Sequence, residues 1–233
     1  MTQKLKNRIA LVTGASRGLG AAIAKRFAAE GAHVILSART VGALEEVDDD
    51  IRAGGGHATI APIDLTEFDK IDMMASAIHD RFGRLDILVS AAAQLGVLSP
   101  AHHVDAKTFD RTIALNLTAN QRLIRAYDPL LRLSENGCAI FVGCEAAVAP
   151  KAFWSVFAAS KAGLKALVDA YALEIQNASV SAHWIDPGPM ATKLRQEAYP
   201  GEPPDTQVSP EDASVTDRFV ETVLMSADAA GNA

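Results

Sequence analysis

Short apolar runs rich in β-branched residues alternate with longer amphipathic stretches along this chain, and this alternation limits the fold more than any other feature of the sequence. The predicted strands are 8–13, 33–38, 58–63, 85–90, 138–143 and 180–185. Most are apolar nearly throughout, which is typical of parallel strands buried on both faces. The predicted helices are 18–30, 41–53, 67–82, 106–134, 154–176 and a last one near 210–227. Such alternation predicts right-handed βαβ units and therefore an α/β fold with a doubly wound parallel sheet.

The length of 233 residues and the apolar content of 49% suit one domain with a large core, and we predict a single domain over 1–233. The segment 187–212 is rich in proline and polar residues and interrupts the alternation. A long loop of this kind in a compact domain is usually either a lid over a site or a disordered segment. Residues 228–233 are small or polar, and we expect a frayed end there.

Charge and cysteine content argue against several classes of protein. The net charge is −6 and no run of five lysines or arginines occurs, so we expect no nucleic-acid partner. No segment approaches the roughly 18 apolar residues of a membrane span, and the N-terminus lacks the apolar stretch of a signal peptide. Cys138 and Cys144 lie on one predicted strand about 20 Å apart, too far for a disulfide. Unpaired cysteines favour a reducing compartment, and we expect a cytoplasmic protein.

The segment TGASRGLG, Thr13 to Gly20, ends the first strand and opens the first helix. A helix N-terminus offers free backbone amides and a positive dipole to a phosphate group. Gly14 permits a sharp turn, and Gly18 and Gly20 let the backbone approach a diphosphate and the sheet closely. A glycine triplet alone could be a tight structural turn. Its position in the first βαβ unit favours a dinucleotide site.

This segment resembles the cofactor loop of the short-chain dehydrogenase/reductase family, and further motifs in the same order extend the resemblance over roughly residues 5–195. The resemblance implies a Rossmann-type sheet with NAD(P) across the carboxyl ends of the strands. Family members usually have strand order 3-2-1-4-5-6-7. Because this chain ends at GNA, we expect the order 3-2-1-4-5-6 without the seventh strand. By position in the family motifs, the cofactor residues would also include Ser16, Leu19, Leu65, Ala92, Pro187, Gly188 and Thr192.

The end of the second strand predicts which nucleotide binds. An acidic residue there would bind the adenosine ribose hydroxyls and repel a 2′-phosphate. Ala38 stands at that place, Arg39 follows it, and Arg17 lies within the glycine loop. Two guanidinium groups favour a 2′-phosphate, so we predict NADP(H) over NAD(H), although both could be surface arginines. Asp64 matches the family aspartate that meets the adenine amino group, and it could equally be a turn residue.

The resemblance also implies hydride transfer between nicotinamide and a carbonyl or alcohol substrate. In the family a tyrosine moves the proton, a lysine four residues later poises the tyrosine and holds the ribose, and a serine and an asparagine assist. Lys161 matches the lysine and Asn116 the asparagine, whereas Phe157 stands at the tyrosine position and Cys144 at the serine position. The nucleotide half of the predicted site is intact, and the proton-handling half is altered.

Two functions follow from this pattern. The first is an NADP(H)-dependent oxidoreductase with atypical proton transfer, to which Cys144 could contribute a thiol of lowered pKa, unless it is a small apolar filler. The second is a catalytically degenerate NADP(H)-binding sensor or partner subunit.

Family helices equivalent to 106–134 and 154–176 form a dimer contact, so we expect a homodimer, or failing that a tetramer. His102 and His103 lack metal-ligand spacing, and we predict no metal site.

Overall fold

A single parallel sheet forms the centre of the protein, whose computed structural model describes residues 3–231. Its strands are Ile9–Thr13 (β1), His33–Ala38 (β2), His57–Pro62 (β3), Ile87–Ser90 (β4), Gly137–Val142 (β5) and Val180–Ile185 (β6). Among the described residues the sheet has the order β3-β2-β1-β4-β5-β6. The prediction of a doubly wound sheet with this order is confirmed.

Helices cover both faces of the sheet. They are Gly18–Ala29 (α1), Val41–Ala53 (α2), Phe68–Phe82 (α3), Ala106–Ile113 (α4), Ala119–Leu131 (α5), Ser155–Glu174 (α6), Lys193–Ala198 (α7) and Ala213–Gly231 (α8). Within the described range, none of them combines the length and the apolar character that crossing a bilayer requires.

Successive residues of the central strand face opposite layers of the core. Ala10 and Val12 of β1 pack in the layer beneath α1, α2 and α8, and Leu11 between them packs beneath α3, α5 and α6. All three side chains are completely buried. Burial of one such aliphatic side chain contributes about 1.5–3 kcal/mol, so strands that are apolar throughout stabilise both layers at once.

The structure corrects one predicted helix and adds detail at two further segments. The predicted helix 106–134 is interrupted by a π-turn, Ala114–Thr118, and ends at Leu131. The predicted loop 187–212 contains the helix α7, whose N-cap is Thr192, and a bridge between Met190 and Val208. Of the predicted frayed end, residues 228–231 belong to α8, and 232–233 lie outside the described residues. The proline-rich composition of this segment predicted a loop. The short helix α7 begins only after an irregular turn that ends at its N-cap, Thr192.

The strand order reverses at β1, which pairs with β2 on one side and β4 on the other. The loops after β1 and β4 therefore lead to opposite faces of the sheet and leave a crevice between them. In open α/β sheets ligands bind in such a crevice, beyond the carboxyl ends of the strands.

Candidate active site

A cleft of about 1050 Å³ opens over the carboxyl ends of the strands. The predicted site residues that line it are Gly14, Ser16, Arg17, Gly18, Leu19, Gly20, Arg39, Asp64, Leu65, Ala92, Cys144, Phe157, Lys161, Pro187, Gly188 and Thr192. The topology thus brings together nearly all the residues that the sequence nominated. Asn116 is the one nominated residue that does not line the cleft.

The glycine loop has no room for a Cβ atom at Gly14 or Gly20. Gly14 has φ +68°, and a Cβ atom there would lie 2.8 Å from the backbone nitrogen of Ala92. A Cβ atom on Gly20 would collide with the carbonyl oxygen of Gly14. Gly18 also has a positive φ, and a Cβ there would lie 3.5 Å from the Thr192 methyl group. The loop therefore presents bare backbone at the N-terminus of α1, which is the cradle that a diphosphate requires.

Cations flank the end of β2. Arg39 is more than half exposed, and its Nη1 lies 3.9 Å from Oδ2 of Asp64, at the outer limit of an ion pair. Arg17 is exposed and forms no ion pair with any acidic group in the described part of the chain. Burial tends to raise the pKa of Asp64, but hydrogen bonds from Thr66, with Arg39 and Arg111 nearby, lower it overall. The carboxylate is therefore ionised at neutral pH.

Lys161 is a buried cation with spare hydrogen-bonding capacity. Its side chain is on α6, the residue is only 4% exposed, and its Nζ donates to the carbonyl oxygen of Val142 at 2.8 Å. An ammonium group has three donors, and buried donors normally have partners. Burial lowers the pKa of the Lys161 amine, although Cys144 and Asp186 oppose that shift. Lys161 lines the cleft, so its remaining donors are available to a ligand bound there.

Phe157 lies one helical turn before Lys161 on α6 and borders the same cleft. Its ring is 3% exposed and packs edge-on against Trp154, with ring centroids 5.9 Å apart. A phenylalanine ring has no proton to donate. At this position the cleft has an apolar wall.

Cys144 follows β5 and is half-buried at the cleft. Burial raises the pKa of its thiol, and the nearby Lys161 cation and two backbone amides offset only part of that effect. Lys161 does lower this pKa, as expected, but the thiol of lowered pKa that the sequence suggested is not found, because burial outweighs the cation. At neutral pH the thiol stays protonated, and it is at most a weak hydrogen-bond donor.

We expect alkylation of Cys144 by iodoacetamide to be slow at pH 8 and to accelerate only above the usual titration range of a thiol. The thiolate is the reactive form, and a raised pKa keeps its fraction small until the pH is high. Peptide mass spectrometry over a pH series measures the rate and separates Cys144 from Cys138, which is completely buried with a pKa of about 11. A half-maximal rate below pH 8 would contradict the prediction.

Asn116 lies within the π-turn and is completely buried. Its Nδ2 donates to the carbonyl oxygen of Gln94 at 2.8 Å and to Oγ of Ser160 at 3.0 Å, and its Oδ1 accepts from the Gln94 amide at 3.0 Å. The side-chain amide thus has both donors occupied. Its position fixes the loop after β4 against α6, and its predicted role in catalysis remains a prediction.

Sequence reasoning missed several residues that line the cleft. Lys151 and Trp154 come from the loop before α6, Arg195 comes from α7, and Gln94 and Leu95 come from the loop after β4. The adjacent aromatic pair Phe153 and Trp154 is the one local signal that could have drawn attention to this wall. His102 and His103 are exposed, as predicted, in a short turn at Ala101–His103.

Comparison with known proteins agrees with this geometry. The sequence profile of the short chain dehydrogenases matches residues 8–203. The 3beta-hydroxysteroid dehydrogenase 1 of Eggerthella lenta is 33% identical over 225 residues, covering 94% of this chain and 82% of that enzyme. A fatty acyl-CoA reductase of Acinetobacter baylyi is 35% identical over 181 residues, which are 77% of this chain but only 61% of that protein.

A solved structure matches as well. A metagenomic short-chain oxidoreductase in complex with NADP superimposes with a TM-score of 0.81 at 32% identity, covering 98% of this chain and 94% of that one. The fold and the cleft define a nucleotide-binding oxidoreductase of Rossmann type. This chain belongs to the short chain dehydrogenase family.

Proposed function

We propose that this protein is an NADP(H)-dependent oxidoreductase that acts on a carbonyl or alcohol substrate through a weakened proton-transfer site. The observation that carries the proposal is the intact nucleotide half of the cleft. Bare backbone at Gly14 and Gly20 lies at the start of α1, and Lys161, whose Nζ uses one donor on the carbonyl oxygen of Val142, lies at the other end of the cleft. When bound, the nicotinamide would supply or accept the hydride.

Each half of the site has its own task in this proposal. Arg17 and Arg39 would hold the 2′-phosphate, and Lys161 would hold the nicotinamide ribose. The substrate oxygen would meet only the weak thiol donor of Cys144 and the apolar ring of Phe157. A positioned general acid contributes about 10²–10⁴-fold and an oxyanion donor about 10²–10³-fold, and the two act as a unit. We therefore propose slow turnover.

The second candidate function is a catalytically degenerate NADP(H)-binding sensor or partner subunit. The packing of Phe157 against Trp154 favours it, because the altered position is a well-packed wall and leaves no obvious opening for a replacement acid. The relatives support the first candidate by their names, since they include a steroid dehydrogenase and an oxidoreductase complexed with NADP.

A fluorescence titration of the purified protein with NADPH, and in parallel with NADH, tests the proposal. We expect saturable NADPH binding at micromolar concentration and NADH binding at least ten times weaker. Turnover of a carbonyl panel with NADPH then separates the two candidates, because only the oxidoreductase consumes the nucleotide. Failure to bind either nucleotide would overturn both.

We further propose a homodimer formed through α4, α5 and α6. Phe109 on α4 and Leu173 on α6 are large apolar side chains that are 43% and 69% exposed in the single chain. Light scattering at micromolar concentration is expected to give twice the mass of 24.6 kDa. A monomer mass would contradict this prediction, and a fourfold mass would support the tetramer.

A further inference from the structure

The far end of the cleft from the glycine loop is a separate apolar compartment. Leu95, Ala146, Phe157 and Ala198 are buried together there, and Trp154, Leu194, Tyr199 and Cys144 pack against them. We call the part bounded by Trp154, Phe157 and Tyr199 the aromatic chamber. It is assembled from α6 and its preceding loop on one side and from the end of α7 on the other.

The three rings form a continuous wall. Trp154 lies 5.9 Å from Phe157 in an edge-to-face arrangement, and 5.6 Å from Tyr199 in a tilted one, measured between ring centroids. The other buried positions of the cluster are Leu95, Ala146, Ala158 and Ala198, and three of these four side chains are small. Flat walls with small residues between them suit a rigid ring system, because its faces can stack on them with little loss of conformational freedom.

Two of the cations around the chamber, Lys151 and Arg195, already have ion-pair partners. Lys151 donates to the phenol oxygen of Tyr199 at 3.2 Å and lies 3.7 Å from a carboxylate oxygen of Glu145. Arg195 stacks on the Tyr199 ring at 3.9 Å and binds both carboxylate oxygens of Glu202 at 2.6 and 2.7 Å. A charged group of the ligand would therefore have to displace an existing ion pair.

The charged groups of the cleft that lack an ion-pair partner also bear on the charge of the ligand. Glu197 on α7 lines the cleft and forms no ion pair among the described residues, so it would repel an anionic ligand. Lys193 lines the cleft too, but it follows Thr192, which contacts the glycine loop at Gly18. Lys193 thus belongs to the nucleotide half. At the chamber, Lys161 is the cation without an ion pair among the described residues that adjoins Phe157, and its Nζ is bound to the carbonyl oxygen of Val142.

We propose that the aromatic chamber binds a neutral, ring-bearing ketone or the corresponding alcohol. Its oxygen would face Cys144 and Lys161, the polar side chains that adjoin the Phe157 wall, and its rings would lie against Trp154 and Tyr199. Phe157 then serves as a binding surface for the ligand. The assignment of this ligand as substrate rests on the proposed function, whereas its binding does not.

Trp154 provides a direct reading of chamber occupancy. The chain has two tryptophans, and the variant Trp184→Phe leaves Trp154 as the sole one. Three probes of similar size are titrated: 1-tetralone, a tetralone carrying a ring carboxylate, and the linear ketone 2-decanone. We expect saturable quenching by 1-tetralone, with affinity at least tenfold higher than for either of the other two. Calorimetry on the unaltered chain provides the same comparison if Trp184→Phe fails to fold.

Two variants make the test specific. Tyr199→Ala removes one wall and is expected to weaken 1-tetralone binding about tenfold, whereas Phe153→Ala, which alters an exposed ring outside the cleft lining, is expected to leave it unchanged. The inference is overturned if the carboxylate or 2-decanone binds with the same affinity as 1-tetralone. It is also overturned if 1-tetralone gives no saturable quenching. NADPH titrated in the same samples separates the two proposals, because loss of nucleotide binding counts against the proposed function alone.

Discussion

Replacing Phe157 by tyrosine is expected to raise the rate of NADPH-dependent carbonyl reduction by about 100- to 10,000-fold, the range that a positioned general acid contributes. The new phenol would stand one helical turn before Lys161, at the border of the cleft. A free phenol has a pKa near 10, and a neighbouring cation favours its ionised form, so the pair could deliver a proton at neutral pH. The measurement is kcat/KM for a panel of ring ketones with NADPH.

The control for this variant is Phe153→Tyr, the same chemical change four residues earlier on an exposed ring that does not line the cleft. We expect no change in rate from it. If the parent protein shows no carbonyl reduction and Phe157→Tyr shows a high rate, the degenerate binding protein is favoured as the natural function. Rapid turnover by the parent protein would show that the missing phenol is not limiting, and the argument from Phe157 would fail.

The double variant Arg17→Ala with Arg39→Ala is expected to weaken NADPH binding about 100-fold and to change NADH binding by less than about threefold. Hydrogen bonds between charged groups are among the stronger ones, but both side chains are exposed, so we expect about tenfold from each, near the lower end of the range. NADH lacks the 2′-phosphate and therefore loses little. Parallel fluorescence titrations with the two nucleotides measure the ratio.

Arg132→Ala is the matched control for this pair. Arg132 is also a partly exposed arginine, paired with Asp128 at 2.7 Å, but it follows α5 and leads toward the amino end of β5, away from the cleft. We expect it to bind both nucleotides like the parent protein. If the double variant lost affinity for NADH as strongly as for NADPH, the two arginines would be holding the common diphosphate, and the predicted preference for NADP(H) would be unsupported.

The strands were predictable because each one corresponds to a short apolar run in the sequence. Runs such as 33–38 and 180–185 are short, apolar and flanked by helical periodicity, and the strands observed there have the predicted bounds. The glycine loop was also predictable, since steric exclusion at Gly14 and Gly20 is a local property of the turn. Local patterns predict local structure, and the order of the strands followed from the resemblance to the short-chain dehydrogenase/reductase family.

Features that depend on distant packing were not predictable. The thiol of Cys144 has a raised pKa because the residues around it come from several elements, and the sequence revealed only the cation at Lys161. The inward orientation of Asn116 follows from its contacts with Gln94 and Ser160, which are 22 and 44 residues away. The pairing of Lys151 with Tyr199 spans 48 residues. The pattern of residues within one segment does not predict contacts between residues so far apart in the chain.

The π-turn at Ala114–Thr118 and the helix after it differ in how they tolerate a change of length. The wider π-turn can lose one residue and close to an α-turn, whereas deletion of one residue at the start of α5 would rotate the rest of that helix by about 100° relative to α4. Leu123 and Tyr127 of α5, both completely buried, would then turn out of the core. A change of one residue in the length of α5 would therefore require a different set of buried side chains on both sides of the contact.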